Sequence, residues 1–209
     1  MNNSQPRPAT RATGSGLTTW RRLQLYIHNP RDAFGITSVD ERQSDAILAF
    51  LLYFAVKLPI LLQRSAALGH RTPSGANYAL GVGLGLLGGV VANLIWIGVA
   101  GFFLHLIVDR ALGGRGSLAE AQRLLALCLT AQLIMVGELP TLILGFREQS
   151  TFLLFAVLRN AANVLSVRTF YWGLRVLFNT TARAALTITV VPIVVLLLIF
   201  LPYVLAPLQ

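Results

Sequence analysis

The sequence predicts an all-α, polytopic transmembrane helical bundle of five spans, preceded by short amphipathic helices at the membrane interface. Three observations carry that prediction. Of the 209 residues, 55% are hydrophobic and only 12% charged, and the mean hydropathy is +0.67, which departs from the averages of soluble domains. The apolar residues come in uninterrupted runs, and about 18 or more in a row is what a hydrocarbon layer of roughly 30 Å requires. The arginines also fall unevenly on the two sides of these runs, as the positive-inside rule describes.

Residues 1–16 are polar, rich in Pro, Ser and Thr and free of acids, so a disordered tail is expected there. Residues 17–45 form the interfacial segment. Leu17, Trp20, Leu23 and Ile27 recur at helical spacing while Arg21, Arg22 and Gln24 take the other side. That is the pattern of a helix lying on a membrane surface, with Arg21 and Arg22 placed to meet anionic headgroups. A soluble arm packed on the protein has the same pattern. Asn29 then precedes Pro30, an N-cap residue before a proline at the first helical position, and a second short helix through Phe34 should follow.

Residues 46–205 carry the five spans. Ser38 and Glu41 make a capping box that starts the first, whose apolar body runs from Ala46 to Leu62. Lys57 lies near its far end, where it can snorkel outward. Residues 63–77 read as an exposed loop because they carry Arg64, His70, Arg71, Pro73 and Gly75. The second segment, Tyr78 to Val108, is about 45 Å long as a helix and must tilt, bend or protrude. Gly81, Gly85 and Gly89 repeat every four residues along it, leaving a smooth stripe for close helix packing. A glycine turn at 113–116 and a second capping box, Ser117 to Glu120, open the third helix, which Pro140 should kink or end. The fourth span is placed from Thr151 to Phe178, with a break near Asn160 as an option. The fifth runs from Ala185 to Leu205.

Five crossings put the chain ends on opposite sides. One side collects the arginines of the N-terminal segment, then Arg110, Arg115 and Arg123, then Arg175 and Arg183; the other holds Arg64, Arg71 and Arg147. The N-terminus is therefore expected in the cytoplasm and the C-terminus across the membrane.

Chemistry finds little purchase. With His70 opposite His28 and His105, no three-histidine metal site can form, and the single cysteine, Cys128, lies in an apolar run. Gly83 to Gly88 matches a dinucleotide fingerprint only as a bare pattern, with no strand before it. No enzyme activity, metal or cofactor is expected. The net charge of +9 is explained by arginines bordering the spans, since no basic patch joins a nucleic-acid-binding fold. Glu138, Arg159 and Arg168 are the intramembrane polar candidates. They suit either a structural ion pair in a bundle or a small transporter or channel.

The order of features resembles the Yip1 domain family of five-helix membrane proteins, especially its bacterial branch. The similar pieces are Asn29-Pro30-Arg31-Asp32-Ala33-Phe34, the turn Leu112-Gly113-Gly114-Arg115-Gly116-Ser117 with Glu120 behind the second helix, and Trp172 with Arg183-Ala184 before the last. The resemblance implies a helical bundle with a cytoplasmic N-terminus in a bacterial inner (plasma) membrane, no catalysis, and a role in membrane organisation or trafficking. Partners would be the lipid bilayer and either a second copy of the chain or another membrane protein. Eukaryotic relatives engage Rab-type small GTPases, but this chain lacks their long acidic N-terminal region and the Asp-Leu-Tyr-Gly-Pro-like motif. GTPase binding is therefore not carried over.

Overall fold

A computed structural model describes residues 15–69, 75–111, 116–138 and 148–205. Every regular element among them is helical. Two short helices, α1 (Thr19–His28) and α2 (Pro30–Ile36), lead into five long ones. These are α3 (Val39–Gly69), α4 (Gly75–Leu106), α5 (Leu118–Cys128), α6 (Glu148–Leu177) and α7 (Ala182–Leu205). A π-helical turn, Ile107–Ala111, extends α4, and a 3-10 stretch, Leu129–Glu138, extends α5. At that switch the Thr130 hydroxyl donates to the Leu127 carbonyl at 2.7 Å, taking up a group the α-helical ladder would otherwise use.

The long helices alternate in direction. Arg42 meets Glu120 and Gln43 meets Arg123, so α3 and α5 start at the same end. Gly116 lies against Phe178 and Gly173 against Leu124, which brings the end of α6 to that level. Val56, Met135 and Ala162 pack together further along. The larger core, including Leu23, Tyr26, Phe34, Leu104, Leu124, Leu127, Leu174 and Phe178, fills the end where α1 and α2 dock.

Elsewhere the apolar residues face outward. Leu84, Leu87, Ile95, Trp96, Phe102 and Phe103 of α4 are exposed, the inverse of a water-soluble fold and what a lipid environment accepts. Two segments among the described residues, Leu87–Arg110 and Leu118–Gly137, are long and apolar enough to cross a membrane.

Three boundaries differ from the sequence reading. The exposed loop expected from Gln63 is helix as far as Gly69, because Gln63, Arg64, Ala66, Ala67 and Leu68 are all good helix formers. α6 runs unbroken past Arg159, Asn160 and Asn163. The Asn29 side chain does not cap α2; its amide donates to Asp32 at 2.5 Å instead. Residues 1–14, most of the glycine turn at 112–115, and Pro140 lie outside the described residues.

Candidate functional site

At the end where α1 docks, the start of α3 carries two carboxylates one turn apart, Glu41 and Asp45. Side chains at i and i+4 share a helix face, and like charges there repel. A cation between them relieves that repulsion, and α1 supplies it. The Arg22 Nε donates to Asp45 Oδ2 at 2.8 Å and Nη2 donates to Oδ1 at 2.8 Å. Its Nη1 donates to the Leu17 carbonyl at 2.6 Å and to Glu41 Oε1 at 3.3 Å, and Nη2 also reaches Thr19 at 3.2 Å. The pair is desolvated: the side chain of Arg22 is 7% exposed and that of Asp45 0%. The planar guanidinium fork suits this bidentate grip in a way a lysine would not. The hydrogen bond to Asp45 raises the already high pKa of Arg22. Burial pushes the Asp45 carboxyl upward while Arg22 pulls it back down.

Glu41 closes the capping box read from the sequence: it accepts from the Ser38 amide at 2.8 Å, and its own amide donates to Ser38 Oγ at 3.2 Å. It also accepts from the Ser15 amide at 3.0 Å and the Ser15 hydroxyl at 2.9 Å. Burial works to raise the Glu41 carboxyl, but the hydrogen bonds from Ser38 and Ser15 outweigh it and hold the group at about 2. A carboxyl depressed in the fold stabilises the fold above its unfolded value of about 4.3, and that contribution disappears as pH falls toward the folded value. Amide exchange at Ser15 and Ser38 should therefore accelerate as pH is lowered through about 4 to about 2, after correction for intrinsic exchange. Glu41→Gln should show the faster exchange already at neutral pH, and equal protection in both proteins would refute this role.

The second capping box is half realised. Ser117 Oγ accepts from the Glu120 amide at 3.2 Å, while the Glu120 carboxylate turns to α3 and accepts from Arg42 Nη2 at 2.9 Å. Arg123 stands 3.5 Å from the same oxygen and donates to Gln43 at 3.1 Å. Arg42 also donates to the Thr37 carbonyl. Arg42 Nε and Glu120 Oε2 are buried without a protein partner.

From the other side α6 holds α1 and α2. Arg168 Nη2 donates to the His28 carbonyl at 3.0 Å, a cation at a helix C-terminus where the backbone presents partial negative charge. Thr169 Oγ1 donates to the Tyr26 carbonyl at 3.1 Å, and the Arg31 guanidinium lies 5.4 Å from the Trp172 ring centre.

The residues singled out in the sequence are thus dispersed. Arg21 is exposed on the outer face of α1 beside an exposed Trp20, whereas Arg22 points inward to Asp45. Arg159 and Arg168 are nine residues apart on one helix, hence on opposite faces and about 13.5 Å apart along its axis. The side chain of Glu138 and the surroundings of Gly81 and Gly85 lie outside the described residues. A Cβ on Gly89 would sit 3.9 Å from Phe54, and one on Gly83 or Gly88 would meet nothing within 4 Å. Lys57 folds back onto Tyr53, 4.2 Å from its ring centre.

Asp45, Arg42 and the cross-helix role of Glu120 were missed. The available signal was the Glu41–Asp45 spacing at the edge of an apolar run, which favours a cation alongside. No group of three or more His, Cys, Asp or Glu among the described residues could hold a metal ion. The arrangement ties three helix starts together.

A family model described as the Yip1 domain matches residues 25–203 of the chain. No curated protein and no solved structure matches it.

Proposed function

Because the chain belongs to the Yip1 domain family, we propose that it is a non-catalytic membrane scaffold that crosses the bilayer five times and associates through the glycine-rich face of α4. The observation that carries this reading is the open surface at Gly88, where a Cβ would meet nothing within 4 Å among the described residues. Gly88 lies three residues from Gly85 and so shares the face of the Gly81–Gly85 pair. In lipid, helices associate where small residues let their backbones approach. The occupant is a second copy of the chain or another membrane protein.

Five long helices of alternating direction support five crossings. Even the shortest, Leu118–Glu138, extends more than about 30 Å. The N-terminal helices and the arginines around them belong at the cytoplasmic face of a bacterial plasma membrane by the positive-inside bias. The transporter reading, with Glu138, Arg159 and Arg168 lining a path, has less support, because Arg168 is exposed and engaged with the end of α1.

Replacing Gly85 and Gly88 together by leucine should reduce the complex mass in mild detergent while leaving helicity unchanged. An unaltered mass would count against the glycine face as the interface.

A further inference from the structure

Between the first halves of α3 and α5 and the facing part of α4 lies an open groove of about 470 Å³, within the roughly 300–1,000 Å³ typical of small-ligand sites. Its walls are Ile47, Leu51, Leu94 and Ile97, and its mouth is polar, formed by Gln43, Gln122 and Arg123. Gln43 and Arg123 are bonded to each other near the starts of their helices. The polar end is therefore the one nearest the Arg22–Asp45 junction, and the apolar walls run deeper into the bundle.

We infer that this groove holds one acyl chain of an anionic glycerophospholipid, with the phosphate seated on Arg123. The argument is charge complementarity. Arg42 and Arg123 share a single carboxylate oxygen of Glu120, and Arg123 is the one that lines the groove, so its charge is only partly compensated at the mouth. Glu41 and Asp45 do not contact Arg123; both turn to Arg22 on the α1 side of α3. A guanidinium at the headgroup level of a bilayer attracts phosphate as both a charge and a fork of donors. The assignment rests on the bilayer placement proposed above and not on self-association through α4.

The test uses full-length protein in detergent micelles, probed with phosphatidylglycerol and phosphatidylcholine of identical acyl chains and read by native mass spectrometry. Saturable retention of one phosphatidylglycerol per protomer, over phosphatidylcholine, is expected. Arg123→Gln should weaken phosphatidylglycerol by about tenfold, toward the phosphatidylcholine level, and Arg123→Lys should keep most of the preference. Ile47→Trp, at an exposed wall position, should displace both lipids without touching the charges. It therefore decides the matter if Arg123→Gln proves unstable. Equal retention of the two lipids, or lipid binding unchanged in Ile47→Trp, would overturn the assignment. So would a change in oligomeric mass on Ile47→Trp, which would make the groove an interface between copies. Failure of the α4 glycine variants to alter the mass would leave this result standing.

Discussion

Asp45→Ala should destabilise the protein by up to about 3–5 kcal/mol, because it removes the bidentate partner of a buried guanidinium and leaves only its longer contact to Glu41. Arg22 is 7% exposed at its side chain and has its Nε and Nη2 aimed at the missing carboxylate. Water cannot reach the vacated position without lifting α1 away from α3. Arg22→Ala should have a comparable effect for the converse reason, since it strands a carboxylate that is 0% exposed. The double variant Arg22→Met with Asp45→Leu should recover most of the loss, because well-packed apolar side chains of similar volume replace a buried pair at little net cost. Reversible unfolding in mixed micelles measures all three, and exchange protection along residues 19–28 reports whether α1 stays docked. Two single variants each below about 1 kcal/mol, with an additive double, would place the pair among ordinary surface ion pairs.

That junction shows how much of the molecule was legible beforehand. The long helices were readable because an apolar run of membrane length has few other solutions, and the Ser38–Glu41 box located the start of α3 from two residues. Helix α6 was harder, since Arg159, Asn160 and Asn163 look like a break by polarity. Yet a helix tolerates polar residues wherever one face meets water or protein. The fate of Arg22 was invisible for a different reason. Helical spacing placed it with Arg21, but adjacent residues stand about 100° apart around the axis. Only the position of Asp45 in a neighbouring helix decides which of the two arginines turns inward. The glycines divide in the same way. The repeat at Gly81, Gly85 and Gly89 is conspicuous in one dimension, whereas the two tightest helix contacts at glycines within the long helices, Gly101 and Gly173, are not marked by it. They are recognisable only once the helix crossings exist.

Those two crossings yield the other large effect. A Cβ on Gly101 would lie 2.7 Å from Gln122 Cγ and 3.3 Å from its Cα, so the obstacle includes the backbone of α5. The nearest atoms a Cβ on Gly173 would overlap belong to the side chain of Leu124, and that leucine is fully buried. Both Gly101→Ala and Gly173→Ala should cost about 1–3 kcal/mol of stability, the range for overpacking a well-filled contact. Alanine itself is the better helix former by about 1 kcal/mol, so the measured losses are net of that gain. The rescue patterns should differ. Leu124→Ala added to Gly173→Ala should restore much of the fit, giving a strong favourable coupling in the double-mutant cycle. Gln122→Ala added to Gly101→Ala should restore less, because the Cα and amide nitrogen of α5 remain 3.3 Å from the new methyl whatever side chain they carry. If the two cycles showed equal coupling, α5 would be free to shift as a body, and its backbone could not be the wall that sets the spacing of α4.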